Sequence, residues 1–297
     1  MTDTCATGRV VLITGCSSGF GLTTSVAAAR RGWRVFATMR DPGRRAALDA
    51  AAAAAGVSVE VAALDVADAG SVKQAVAAVL VATGGRLDAV VNNAGIADAG
   101  FFEDQPEAES RQVMETNFFG ATAVTRAALP SLRRSPDGRV VMVSSVAAFS
   151  PQAGLSAYVA SKWALEGWAE SLAIEVAPLG VRVILVEPGA YRTGIWGSAA
   201  VASVPGSPYA AFRDTMEPRF RAMIDRTARD PGEAGLRIAR LLDDRRPAFR
   251  NPVGPDARAA RLLGQVVPVR ARMRLLARMA GIPARRQPQP AVLTESR

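Results

Sequence analysis

Short apolar runs alternate with longer stretches of helical periodicity from the start of the chain. Arg9–Thr14 predicts a buried strand and Gly19–Arg31 the helix after it. Arg34–Thr38 predicts a second strand, followed by an alanine-rich helix over about residues 43–55. Val57–Ala62, Leu87–Asn92, Arg139–Ser144 and Val181–Glu187 read as further strands, each separated from the next by a helix-length segment. Valine-rich runs of this length, joined by helices, indicate parallel strands covered on both faces. Right-handed crossovers then give an α/β fold, a doubly wound parallel sheet with helices on both sides. The segment Tyr191–Asp230 breaks the alternation with glycine, proline, serine and scattered aromatics, and reads as a mobile lid. Ala257–Val267 and Val269–Ala280 predict two more helices, divided by Pro268, and Pro283–Arg297 has the composition of a disordered end. The expected organisation is one domain over residues 1–250, lid included, and a basic helical extension over 251–297.

Composition narrows the chemistry. The chain has 297 residues, 49% of them apolar, ample for a buried core. It has no histidine, which excludes imidazole metal ligands, Ser-His-Asp and Cys-His nucleophilic sites, and histidine acid–base work. Two cysteines, Cys5 and Cys16, are too few for a disulfide scaffold, so a reducing cytoplasm is the expected compartment. The run Val10–Ile13 is too short for a signal peptide, and the longest uncharged stretch, Val140–Ser161, holds five serines, a poor bilayer span.

The net charge of +9 is unevenly placed. Residues 245–297 carry twelve arginines against Asp256 and Glu295, whereas residues 1–244 are close to neutral at −1. Nucleic-acid binding by the main domain therefore gains no support. Within the extension, Arg270, Arg274 and Arg278 fall on one helix face and Val269, Met273, Leu276 and Ala280 on another. That pattern suits either an anionic membrane surface or packing beside the body or a subunit, the latter being preferred.

Two motifs carry chemistry. Thr14-Gly15-Cys16-Ser17-Ser18-Gly19-Phe20-Gly21 lies between the first strand and first helix. Glycines there let backbone approach a pyrophosphate, and the helix N-terminus offers free N–H groups to it. A ligand-free glycine turn is the bland alternative. The second motif, Tyr158-Val-Ala-Ser-Lys162, sets a phenol and an ammonium four residues apart on one helix face. The ammonium is expected to lower the phenol pKa, so that Tyr158 can exchange a proton with a substrate oxygen. Lysine here stands out, because the chain has 34 arginines and only one other lysine, Lys73.

Together these motifs resemble the short-chain dehydrogenase/reductase family in its single-domain form. Asn92-Asn93-Ala94-Gly95 is similar to the family's element after the fourth strand, and Asn117 to the helix asparagine that holds a relay water. Ser145, thirteen residues before Tyr158, matches the catalytic serine better than Ser144 does. Pro188, Gly189 and Thr193 resemble the element that contacts the nicotinamide carboxamide, and Asp65 with Val66 the adenine contact. The resemblance spans about residues 8–250 and implies a Rossmann-type sheet of about seven strands. It implies hydride transfer between a nicotinamide and a carbonyl or alcohol carbon, with Asn117, Ser145, Tyr158 and Lys162 catalytic. Gly15, Ser17, Ser18, Gly19, Phe20, Gly21, Asn93, Ala94 and Gly95 would join Tyr158 and Lys162 around the dinucleotide. A homodimer or homotetramer is implied through the helices at Ala108–Arg133 and Ser156–Pro178.

The end of the second strand bears on the cofactor. An acid there would hold a ribose 2′-hydroxyl; the position is Met39, followed by Arg40, whose fork suits a 2′-phosphate. NADP(H) is expected, with Ser17 adding a hydroxyl; a register two residues later would make Asp41 the ribose acid and favour NAD(H). Ile195, Trp196, Tyr209, Phe212, Met216, Phe220 and Met223 form an apolar set suited to a lipophilic substrate or to packing of the lid. The turn and second strand are especially similar to the 17β-hydroxysteroid and retinol dehydrogenase branches, implying steroid-like, retinoid-like or other lipophilic carbonyl compounds. A dinucleotide-binding redox sensor without turnover is the alternative from a different class. A sugar-nucleotide epimerase or dehydratase is disfavoured by the turn spacing and the short C-terminal part.

Overall fold

Strand residues alternate between two cores. Val10 and Leu12 point to one face of the sheet and Val11 and Ile13 to the other, all four buried. A continuous apolar run is what a strand covered on both sides requires. The computed structural model describes residues 8–195, 202 and 204–283. Its strands are β1 (Val10–Ile13), β2 (Arg34–Met39), β3 (Glu60–Ala63), β4 (Ala89–Asn92), β5 (Gly138–Val143), β6 (Val181–Pro188) and β7 (Arg250–Val253). They form one parallel sheet in the order β3-β2-β1-β4-β5-β6-β7. The chain winds outward from β1 through β2 and β3, then returns to β4 on the other side of β1. Two crossovers leaving in opposite directions open a crevice at the carboxyl ends of β1 and β4.

The helices are α1 (Gly19–Arg30), α2 (Ala46–Ala54), α3 (Ala69–Ala82), α4 (Glu107–Met114), α5 (Gly120–Leu132), α6 (Ser156–Val176), α7 (Ala210–Thr227), α8 (Pro231–Leu241), α9 (Pro255–Val266) and α10 (Val269–Ala280). One core joins the sheet to α1, α2 and α8 through Ala27, Ala28, Leu48 and Ile238. The opposite core uses Val76 of α3, Val124 of α5, and Leu165 and Leu172 of α6. Where α8 crosses α1 the spacing is close: a Cβ on Gly235 would lie 2.7 Å from Thr23 Cβ and 2.8 Å from its carbonyl carbon.

Two departures from the sequence pattern have physical causes. The third strand begins at Glu60 rather than Val57, because residues 56–57 close α2 instead. Gly56 takes a left-handed φ of +65° and Val57 N–H donates to the Ala52 carbonyl at 3.0 Å, a helix-ending turn. The seventh strand lies within the arginine-rich stretch and contains Pro252, which hides it from strand patterning. A proline is tolerated there because β7 is an edge strand. The tail helices fall close to their expected bounds, and residues 284–297, where disorder was expected, lie outside the described residues. Among the described residues no helix is long and apolar enough to cross a membrane.

Candidate active site

The glycine-rich turn is fixed from beneath. Gly15 has φ +72°, and a Cβ there would come within 2.8 Å of Ala94 Cα. Thr14 Oγ1 accepts from the N–H groups of Asn93 and Ala94 at 3.0 and 2.9 Å, while Asn93 Nδ2 donates to the carbonyls of Thr14 and Gly15. Asn93 and Ala94 thus strap the turn to β4. A Cβ on Gly21 would meet the Gly15 carbonyl at 2.3 Å, so Gly21 serves this packing and does not line the crevice. Ser18 precedes α1 without a side-chain cap, which leaves the first-turn N–H groups for a ligand or water. Cys16 is no nucleophile: burial pushes its thiol up to about 12.

The crevice has a volume of about 1030 Å³. Gly15, Ser17, Ser18, Gly19 and Phe20 line it on the turn side, Ala94 and Gly95 with Asn93 at the base, and Pro188, Gly189 and Thr193 beyond β6. Asp65 and Val66 line the side next to β3. Asp65 Oδ1 accepts from Ala67 N–H at 3.0 Å, which shapes that loop. Ser145, Tyr158 and Lys162 reach the same crevice from β5 and α6.

These three are buried, at 8%, 5% and 4% exposure. Lys162 Nζ donates to the Val143 carbonyl at 3.0 Å and lies 5.7 Å from the centre of the Tyr158 ring. Burial pushes Lys162 down to about 8, with Glu166 opposing. Burial also raises the Tyr158 phenol above its ordinary value, and its hydrogen bond with Ser145 offsets only part of that. The expected lowering of the phenol by the ammonium is therefore not what the site does. Desolvation of the buried phenolate is the largest influence on it. At neutral pH the phenol keeps its proton.

Asn117 sits in a π-helical turn, Glu115–Phe119, that joins α4 to α5. Such widened turns re-aim a side chain and occur often at functional sites. Its amide donates to the Ile96 carbonyl and Ser161 Oγ, both at 2.9 Å, and its Oδ1 accepts from Ile96 N–H at 2.8 Å. Asn117 therefore fastens the loop after β4 to α6 and does not itself line the crevice.

At the β2 end, Met39 is the last strand residue and Arg40 and Arg44 line the crevice from solvent-exposed positions. Asp41 accepts from Gly43 N–H at 2.8 Å and caps the short 3₁₀ turn Pro42–Arg45. Arg44 was not singled out from sequence, although its place in the turn after β2 is a readable signal. One face of α4 and the turn after it was also missed: Ala108, Arg111, Gln112 and Glu115 line the crevice at helical spacing. Of the apolar lid set, Ile195 lines the crevice, Tyr209 stacks on Phe101 with ring centres 4.8 Å apart, and Trp196 lies outside the described residues. The chain before and after the segment 193–228 is tied together where Arg192 N–H donates to the Arg229 carbonyl and Arg229 N–H to that of Ala190.

Comparison with known proteins agrees with this geometry. Residues 9–202 match the family model for short chain dehydrogenase. Retinol dehydrogenase 8 of Bos taurus is 37% identical over 253 residues, covering 82% of this chain and 80% of that protein. A short-chain dehydrogenase from Streptomyces avermitilis superposes with a TM-score of 0.76 at 36% identity, over 93% of this chain and 98% of that one. An alcohol dehydrogenase from the archaeon Thermococcus sibiricus, solved with 5-hydroxy-NADP, gives a TM-score of 0.68 at 27% identity, over 82% and 95% of the two chains. The chain belongs to the short-chain dehydrogenase family, oxidoreductases that work between alcohol and carbonyl with a nicotinamide dinucleotide.

Proposed function

We propose that this protein is an NADP(H)-dependent oxidoreductase that reduces a lipophilic ketone or aldehyde, or oxidises the corresponding alcohol. The observation that carries the reading is the convergence of Ser145, Tyr158 and Lys162 on one crevice whose other end presents Arg40 and Arg44. The residues present fit a dinucleotide: an uncapped helix N-terminus behind a glycine turn suits a pyrophosphate, and the two arginines suit a 2′-phosphate. Asp41 also lines the crevice, with Oδ1 accepting from Gly43 N–H, so the NADP(H) reading rests on the two arginines beside it and Asp41 remains the rival ribose ligand. Asp65 and Val66 would flank the adenine, and Pro188, Gly189 and Thr193 the carboxamide.

When bound, the dinucleotide supplies hydride from the nicotinamide C4 to the carbonyl carbon. Ser145 would hydrogen-bond the carbonyl oxygen, and Tyr158 Oη would give it a proton, so the products are the alcohol and a tyrosinate awaiting a proton from solvent. Burial raises the Tyr158 phenol, so it is protonated at neutral pH and available to give a proton in reduction; the direction of turnover follows the ratio of reduced to oxidised dinucleotide and of substrates. Lys162 would hold the nicotinamide ribose and stabilise the transient phenolate. Asn117 positions the loop carrying Ile96 against α6, and its Oδ1 keeps one lone pair for a water.

The lipophilic class is supported by Ile195 at the crevice and by the retinol dehydrogenase relative. The segment 191–230 would act as the lid, hinged at the Tyr191–Arg229 bridge. A reducing cytoplasm suits the free, buried thiol of Cys16. Exposed Phe119, Trp163 and Ile174 on the α4–α5 and α6 helices suit a homodimer or homotetramer, and exposed Val269, Met273 and Met279 of α10 suit a subunit contact first and peripheral contact with an anionic membrane second. The testing experiment is NADPH oxidation across steroids, retinoids, quinones and aliphatic ketones. Turnover of one class that vanishes in Tyr158→Phe supports the reading; dinucleotide binding without any turnover would leave a redox-sensing protein instead.

A further inference from the structure

One turn beyond Lys162 on α6, Glu166 is buried at 6% exposure inside a cluster drawn from five elements. Its Oε1 accepts from Ser144 Oγ at 2.6 Å, at the end of β5 and beside Ser145. Its Oε2 accepts from Arg250 Nη1 of β7. The same Arg250 nitrogen reaches Glu187 Oε1 of β6 at 2.7 Å, and Arg250 Nη2 reaches Glu170 Oε1 at 2.6 Å. Arg261 of α9 adds a second cation on Glu187 at 3.1 Å. A fully buried carboxylate and its arginines could hold β6, β7 and α9 together without Glu166. Two relations set Glu166 apart: it lies one helical turn from the Lys162 amine, and it binds the neighbour of Ser145.

We propose that Glu166 is a positioning residue of this site, whose carboxylate keeps the Lys162 amine protonated and, through Ser144, fixes the strand end that carries Ser145. Burial drives the amine toward its neutral form, and the negative charge of Glu166 is the opposing influence on it. The charged groups facing Glu166 are Lys162 on its own helix, Arg250 from β7, and Glu187 with Arg261 behind that guanidinium; Glu170 shares Arg250. Arg250 pairs with the buried Glu166 carboxylate as its counter-ion. The catalytic meaning of this arrangement rests on the function proposed above. Its test does not.

The sequence offers a clean probe, since Lys73 and Lys162 are its only lysines. A chain labelled with ¹³C at lysine Cε gives two side-chain signals, assigned with Lys73→Arg, whose titration needs neither dinucleotide nor substrate. Lys162 is expected to titrate near 8, and in Glu166→Gln at a measurably lower pH. Glu166→Asp, which retains the charge, should recover most of that difference. A midpoint unchanged in Glu166→Gln overturns the proposal. Ser144→Ala removes the hydrogen bond but not the charge, so it should lower kcat several-fold while leaving the midpoint in place. A shift there as large as in Glu166→Gln would show that geometry rather than charge acts, and would also overturn it. If the amide is not tolerated against Arg250, Glu166→Met removes the charge with similar volume and carries the same expectation. Failure of every substrate to turn over would refute the proposed function and leave these midpoints untouched.

Discussion

Replacing Lys162 with methionine should make the protein more stable while abolishing turnover. Lys162 is 4% exposed, and burial holds its amine at about 8 instead of 10.5. At pH 7 a depression of that size corresponds to about 3 kcal/mol of destabilisation by the charged form. Methionine keeps the length of the side chain and needs no such desolvation. It forfeits the hydrogen bond to the Val143 carbonyl, a loss of about 1 kcal/mol. The net gain is about 2 kcal/mol, which would raise a urea midpoint by roughly 0.5–1 M at an unchanged slope. The pH dependence has a definite sign. Because the folded value lies below the unfolded one, the burden is fully present below about 8 and is relieved as the pH rises toward 10.5. Urea melts at pH 7 and pH 10 should therefore show the variant ahead at the lower pH and level or behind at the higher. A wild type more stable than Lys162→Met at pH 7, or a difference independent of pH, would refute the reasoning.

Other outcomes follow from the same geometry. Arg40→Ala should weaken NADPH by about 10- to 100-fold in a fluorescence titration and NADH hardly at all; equal losses would point to Asp41 and NAD(H). Gly15→Ala should abolish dinucleotide binding, because a side chain at φ +72° would also strike Ala94 at 2.8 Å; unchanged binding in a calorimetric titration would show that the turn can move. Gly235→Ala should lower stability by about 1–3 kcal/mol in denaturant melts, since the added methyl meets Thr23 where α8 crosses α1; unchanged stability would show that the helices can part there.

The parallel sheet was readable because its strands are apolar on both faces, as in Val10–Ile13 and Val140–Val143. The order of motifs also located the crevice, since glycines, the asparagine pair and Tyr158 all lie at carboxyl ends of strands or on the helices after them. What escaped depends on contacts distant in sequence. The edge strand at Arg250–Val253 looks like arginine-rich tail until Arg250 is seen among Glu166, Glu170 and Glu187. The direction of the Tyr158 shift escaped for a related reason: spacing shows that a cation is near, but not how deeply both groups are buried. The spacing of Asn117 marks a helix residue, and only the π-helical turn reveals that its amide is spent on Ile96 and Ser161.

The central claim is that the Tyr158 hydroxyl delivers the proton that accompanies hydride transfer in this crevice. Single-turnover oxidation of bound NADPH by a ketone substrate, in Tyr158→Phe and with dinucleotide affinity measured on the same sample, tests it most directly. The account predicts affinity within about twofold of wild type and a rate lower by about 10²- to 10⁴-fold. A rate within a few-fold of wild type, with NADPH still bound, would contradict it.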